Sequence, residues 1–185
     1  MAGLDQLYKE IILDHYRNPR NQGELPPPAT KTEGFNPLCG DEIELYVVIE
    51  DGVVRDISIG GQGCSISQAS ASMMSAAVKG KSVDESLDLT QKFKAMMSIP
   101  GAGEDESDES AIAEAKAAAS DADLGAVVGD VVGPDREMGE LSALQGVKKF
   151  PLRIKCATLS WNTLLEAIEN AVPALEGPRE NRRWL

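Results

Sequence analysis

The chain has 185 residues with 42% hydrophobic side chains, enough for one domain with its own core and too apolar to be disordered throughout. Aromatics are only 4%, leaving that core to Ile, Val, Leu, Met and Ala, and no apolar run approaches the roughly 18 residues of a membrane helix. The net charge of −12 argues against general nucleic-acid binding, and it is concentrated: between Glu104 and Glu140 twelve acidic residues face only Lys116 and Arg136.

The opening Met1-Ala2-Gly3-Leu4-Asp5 lacks the basic-then-apolar pattern of a secretory signal, so a cytoplasmic location is expected, without membrane or nucleic-acid partners. Leu4 to Tyr16 reads as an amphipathic helix, with Leu4, Leu7, Tyr8, Ile11, Ile12 and His15 at three- and four-residue steps. Asn18-Pro19 ends it, and Leu25-Pro26-Pro27-Pro28 is a stiff connector. Thr30–Phe35 is a candidate strand. Glu42–Glu50 is a clearer one, and Asp51-Gly52 is a two-residue hairpin signal returning the chain as Val53–Ile59. Strict alternation would place Val53, Arg55, Ile57 and Ile59 on one face of that strand and Val54, Asp56 and Ser58 on the other.

After the Gly60–Gly63 loop, Ser65–Lys79 is helical, with Met73 and Met74 as core residues, and Gly80 ends it. Ser82-Val83-Asp84-Glu85 has capping-box spacing and opens a helix to about Met97. Pro151 then starts a last helix, Leu152 to Val172, packed by Trp161. Between these helices, Ala102–Gly146 reads as an acidic, mobile insertion with a weak helix at Ala111–Ala119. The whole is expected to be a single domain over 1–177, followed by a tail at 178–185.

Three cysteines in a cytosolic chain point to metal binding or catalysis rather than to disulfides. Cys39 lies in Asn36-Pro37-Leu38-Cys39-Gly40-Asp41, where Gly40 lets the backbone turn so that Cys39 and Asp41 can meet one ion. Cys64 follows a glycine loop at the start of a helix, where amide dipoles favour a thiolate. Cys156 sits beside the cationic Arg153 and Lys155, which favour a thiolate there too. Cys39, Asp41, Cys64 and Cys156 together make a three-sulfur, one-oxygen set of the kind that zinc takes. His15, the single histidine, reads as a hydrogen-bonded residue at a helix interface rather than a ligand.

These segments resemble the IscU/NifU-type iron–sulfur assembly scaffolds, and most closely the SufU branch. The matching stretches are Ile12-Leu13-Asp14-His15-Tyr16-Arg17-Asn18-Pro19-Arg20-Asn21, Asn36–Asp41, Gly61-Gln62-Gly63-Cys64-Ser65-Ile66-Ser67 and Phe150-Pro151-Leu152-Arg153-Ile154-Lys155-Cys156-Ala157-Thr158-Leu159. Lys155 stands where IscU-type scaffolds carry a histidine, and their Leu-Pro-Pro-Val-Lys chaperone-binding segment is missing before the third cysteine. The resemblance implies an α+β fold, a three-stranded antiparallel sheet packed by helices. It implies a zinc on Cys39, Asp41, Cys64 and Cys156, and a SufS-type cysteine desulfurase as partner, with pyridoxal phosphate belonging to that partner and downstream iron–sulfur assembly proteins as further partners. The expected function is a zinc-dependent sulfurtransferase in which Cys39 accepts persulfide sulfur while Arg153 and Lys155 steady the anionic product. The alternatives are a scaffold for a [2Fe–2S] cluster and a structural zinc domain that only docks partners.

Overall fold

The computed structural model describes residues 2–98 and 138–171. The elements are α1 (Ala2–Arg17), β1 (Thr30–Asn36), β2 (Asp41–Glu50), β3 (Val53–Gln62), α2 (Ser65–Val78), α3 (Val83–Met97), a 3₁₀ segment (Gly139–Lys149) and α4 (Pro151–Ala171). The three strands form one antiparallel sheet in the order β1-β2-β3. The expected hairpin forms with positive φ at both Asp51 (52°) and Gly52 (70°), the backbone of a turn whose twist matches its strands. Asn21 and Gly23 bond Ile59 along the outer side of β3, so the connector after α1 covers that edge.

The alternation expected for β3 does not hold along its whole length. The register is regular until Val48 pairs with Asp56, and then Ile49 pairs with Val54. Arg55 is the extra residue of a β-bulge, so the parity of the strand flips there. Val54 therefore joins Ile57 and Ile59 in the core, all three at most 2% exposed, while Arg55 faces solvent. On β2 the same face presents Ile43, Leu45 and Val47.

Helix α4 lies against β1 and β2 and also meets α2, α3 and the 3₁₀ segment. Gly34 on β1 permits its approach: a Cβ there would collide with Thr163 of α4. Trp161 is fully buried and stacks on Phe93 of α3 with ring centroids 4.4 Å apart. Its indole N–H donates to Ser70 Oγ, which in turn donates to the carbonyl of Ala157. The serines and alanines of α2 are thus small contact residues that let α1 and α4 close on it.

Of the insertion expected at 102–146, residues 138–146 are among the described ones. From Met138 onward the chain is packed, with Met138, Leu141, Leu144 and Val147 at most 5% exposed and the 3₁₀ segment lying against α1, α2, α3 and α4. These apolar positions recur at three-residue steps, the period of a 3₁₀ turn. The run of glycines and acids before them masks the pattern in sequence. The proposed helix at Ala111–Ala119 and the tail at 178–185 lie outside the described residues.

His15 is 1% exposed, with Nδ1 2.7 Å from Ser72 Oγ and Nε2 3.0 Å from Glu140 Oε2. It ties α1 to α2 and to the 3₁₀ segment, the interfacial role expected for it.

Candidate metal centre

The register of the sheet builds one side of the site. Asn36, the last residue of β1, pairs with Asp41, the first of β2, and both lie on the face shared with Ile43 and Leu45. Their side chains are 5% and 2% exposed. Four residues link them in a tight turn: the Asn36 carbonyl accepts N–H bonds from Cys39 (3.3 Å) and Gly40 (2.8 Å), and Gly40 takes a φ of 70°. The Asn36 side chain closes the same turn by accepting the Leu38 N–H at 3.1 Å. Cys39 is left exposed at the tip.

Cys64 is the N-cap of α2, and its sulfur accepts from the Ser67 amide at 3.4 Å. Asp41 reaches it from the sheet: Oδ1 accepts the Cys64 N–H at 2.9 Å and Oδ2 lies 3.6 Å from Cys64 Sγ. Gly63 makes room for that carboxylate, because a Cβ at position 63 would stand 2.7 Å from Asp41 Oδ1. Cys156, fully buried on α4, brings the third sulfur to 3.2 Å from Cys39 Sγ. The Asn36 carboxamide donates toward it at 3.9 Å.

The ligand atoms of Cys39, Asp41 and Cys156 lie within 4.8 Å of one another, the one such group of three or more acidic, cysteine or histidine side chains among the described residues. Cys64 is attached to this group through Asp41. Arg153 faces the sulfurs: its guanidinium is held in the charged form by the proximity of Cys64, by a hydrogen bond to Cys156 and by the proximity of Cys156 and Cys39. The Lys155 side chain is exposed and makes no hydrogen bond or ion pair among the described residues, so the structure gathers Arg153 but not Lys155.

One expectation about protonation is reversed. Cationic neighbours predicted a thiolate at Cys156, but burial pushes this thiol strongly upward, and Cys39, Asp41 and Cys64 push it the same way. Desolvation outweighs a cation at the rim. Sequence reading also gave no role to Asn36 or Gly63. The Asn-Pro pair was a turn signal for the first, whereas nothing local marks Gly63 as the residue opposite Asp41.

The sequence profile of the NifU-like N-terminal domain matches residues 7–123. The zinc-dependent sulfurtransferase SufU of Bacillus subtilis (strain 168) is 40% identical over 176 residues, covering 95% of this chain and 96% of the relative. The chain belongs to the NifU-like N-terminal domain family. Another relative, the iron–sulfur cluster assembly scaffold protein IscU of Streptococcus pyogenes serotype M1, is 36% identical over 94% of this chain and 90% of its own. Among solved structures, that of FiSufU from Fervidobacterium islandicum AW-1 superposes with a TM-score of 0.65 at 28% identity, covering 88% of this chain and 97% of that one. The three-stranded antiparallel sheet packed by helices is thus the NifU-like fold, as expected.

Proposed function

We propose that the chain is a zinc-dependent sulfurtransferase that accepts persulfide sulfur on Cys39 from a SufS-type cysteine desulfurase for iron–sulfur cluster biogenesis. The observation that carries this reading is an exposed sulfur, Cys39, held 3.2 Å from a fully buried one, Cys156, beside a buried carboxylate. The name of the Bacillus subtilis relative supports it.

The donor set fits zinc, which takes thiolate and carboxylate ligands in tetrahedral sites. Asp41 is a buried carboxylate whose described partners are the amide and sulfur of Cys64 and the sulfur of Cys156, an arrangement that a cation would balance. Cys39, Asp41, Cys64 and Cys156 would hold the ion. When bound, zinc keeps its sulfurs as thiolates at neutral pH and shields them from protonation.

The chain's own residues supply the rest. Cys39 sits on a four-residue turn with Gly40 beside it, so its sulfur can swing outward with little backbone cost. Its thiolate attacks the terminal sulfur of the donor persulfide. The sulfur–sulfur bond of the donor breaks, its electron pair leaves on the donor cysteine, and a persulfide forms on Cys39. Asp41, Cys64 and Cys156 stay in place meanwhile, and Arg153 offers a guanidinium to the new anion.

With a SufS-type desulfurase and cysteine as substrate, Cys39→Ser is expected to abolish both persulfide formation and stimulation of the desulfurase. Normal stimulation by this variant would exclude Cys39 as the acceptor. The names of the IscU relatives favour a second reading, a [2Fe–2S] scaffold. Metal analysis of anaerobically purified, untagged protein separates the two. About one zinc per chain with negligible iron supports transfer, and about two irons with sulfide per chain or per dimer supports the scaffold.

A further inference from the structure

Asn36 touches both cysteines of the close pair, the Cys39 amide through its backbone carbonyl and the Cys156 sulfur through its side chain. Its carbonyl and Oδ1 fix the amides of Leu38, Cys39 and Gly40, and so the place of the Cys39 turn. Its Nδ2 points at Cys156 Sγ, 3.9 Å away in a buried setting. Cys39 Sγ, 3.2 Å from Cys156 Sγ, is exposed, and no amide or hydroxyl of the described residues donates to it. The two sulfurs are neighbours with unlike surroundings.

We propose that Asn36 is a positioning residue that assigns the two sulfurs their separate parts, holding Cys156 as the resident ligand and leaving Cys39 as the sulfur that reacts. An N–H donated to a thiolate draws on its lone pairs and stabilises its charge, and a stabilised thiolate is a weaker nucleophile. Burial at Cys156 adds a steric barrier to the same end. Partners of this kind also orient metal ligands, and their loss typically weakens metal binding by about 10- to 100-fold. The inference rests on the sulfur-acceptance reading and deepens it. The transfer step is unchanged in balance: the attacking thiolate forms one sulfur–sulfur bond, the donor's breaks, and no external oxidant or reductant is needed.

Two substitutions separate the amide from the turn. Asn36→Asp keeps an oxygen to accept the Leu38 N–H and loses the N–H aimed at Cys156. Asn36→Ser loses that N–H without adding a charged ligand. Each variant is loaded anaerobically with cobalt(II) in place of zinc, and its sulfur-to-cobalt charge-transfer bands are recorded. Each zinc-loaded variant is then incubated with a SufS-type desulfurase and cysteine, and persulfide is mapped to individual cysteines by mass spectrometry.

With the Asn36 donor gone and the Arg153 hydrogen bond to Cys156 kept, the charge-transfer bands are expected to move to lower energy in both variants, and cobalt affinity to fall by about 10-fold. Persulfide is expected on Cys156 as well as on Cys39, against Cys39 alone in the native chain. Charge-transfer bands at the native energy in both variants, or persulfide confined to Cys39 in both, would overturn the proposal. Absence of persulfide from every cysteine of the native chain would overturn the sulfur-acceptance reading itself, and the cobalt spectra distinguish that failure from a failure of the Asn36 hydrogen bond.

Discussion

Cys39, Asp41, Cys64 and Cys156 are the ligands proposed for the site, and a residue with no side chain helps decide whether they meet. That residue is Gly63. A methyl group at this position falls 2.7 Å from Asp41 Oδ1 and 3.0 Å from its Cβ and Cγ, so the carboxylate must retreat from the sulfurs. Gly63→Ala is therefore expected to weaken zinc binding by about 10-fold or more in a chelator competition. Its metal-free melting temperature should change little, because the retreat is confined to one side chain at the end of the sheet. The sequence singled out the cysteines and Asp41 because their residue types suit metal chemistry, and the fold brings the ligand atoms of Cys39, Asp41 and Cys156 within 4.8 Å of one another. Gly63 and Asn36 were not singled out, since their effect depends on which side chain the fold places opposite them. The protonation of Cys156 runs against the expectation for a related reason: its burial is set by α4 packing on the sheet, while the neighbouring cations are plain in the sequence.

Elements were legible where local chemistry specifies them. The Asp51-Gly52 turn and the box at Ser82 both formed as read. Ser82 Oγ accepts the Glu85 N–H at 3.1 Å, and the Glu85 carboxylate accepts the Ser82 N–H at 2.8 Å. Ser82→Ala should cost about 1 kcal/mol in urea unfolding, within the usual range for an N-cap. The bulge at Arg55 was not legible, because the alternation of Val, Ile and polar residues is equally regular with or without it. Only the pairing with β2 reveals the extra residue. The contact between β1 and α4 offers a sharper test of packing. Gly34→Ala drives a methyl group into Thr163 and should destabilise by about 1–3 kcal/mol, the usual range for an overpacked core. Thr163→Ala removes the obstructing hydroxyl, so the double variant should recover part of that loss in the same unfolding measurement.

For the molecule as a whole, surface ion pairs add a modest pH dependence. Asp56 is hydrogen-bonded to Lys79, with Nζ 2.7 Å from Oδ1, and this pair and the Ile57 amide hold its carboxyl below its ordinary value of 3.8. A group lowered in the folded state stabilises fully above its unfolded value and ceases to do so as the pH falls through the lowered one. Asp56→Asn should therefore lose under about 1 kcal/mol at neutral pH, since both side chains are well exposed. Below the carboxylate range it should equal the native chain, which a series of melts from pH 7 to pH 2.5 would show. At this scale the sequence reading recovered the sheet and helices and their order. It missed the inclusion of residues 138–149 in the core, because the apolar side chains there repeat at a period that neither a strand nor an α-helix would use.

The 3.2 Å separation of the Cys39 and Cys156 sulfurs has a consequence for storage and stress. Two thiols this close need little motion to join if an oxidant such as peroxide removes two electrons, since a disulfide draws its sulfurs to about 2.05 Å. Both sulfurs of the pair would be spent in that one event, and a reductant would restore both together. Under the proposed function an ion held by both sulfurs would guard against this by engaging their lone pairs, so losing the ion in air would be followed by losing the ability to take it back.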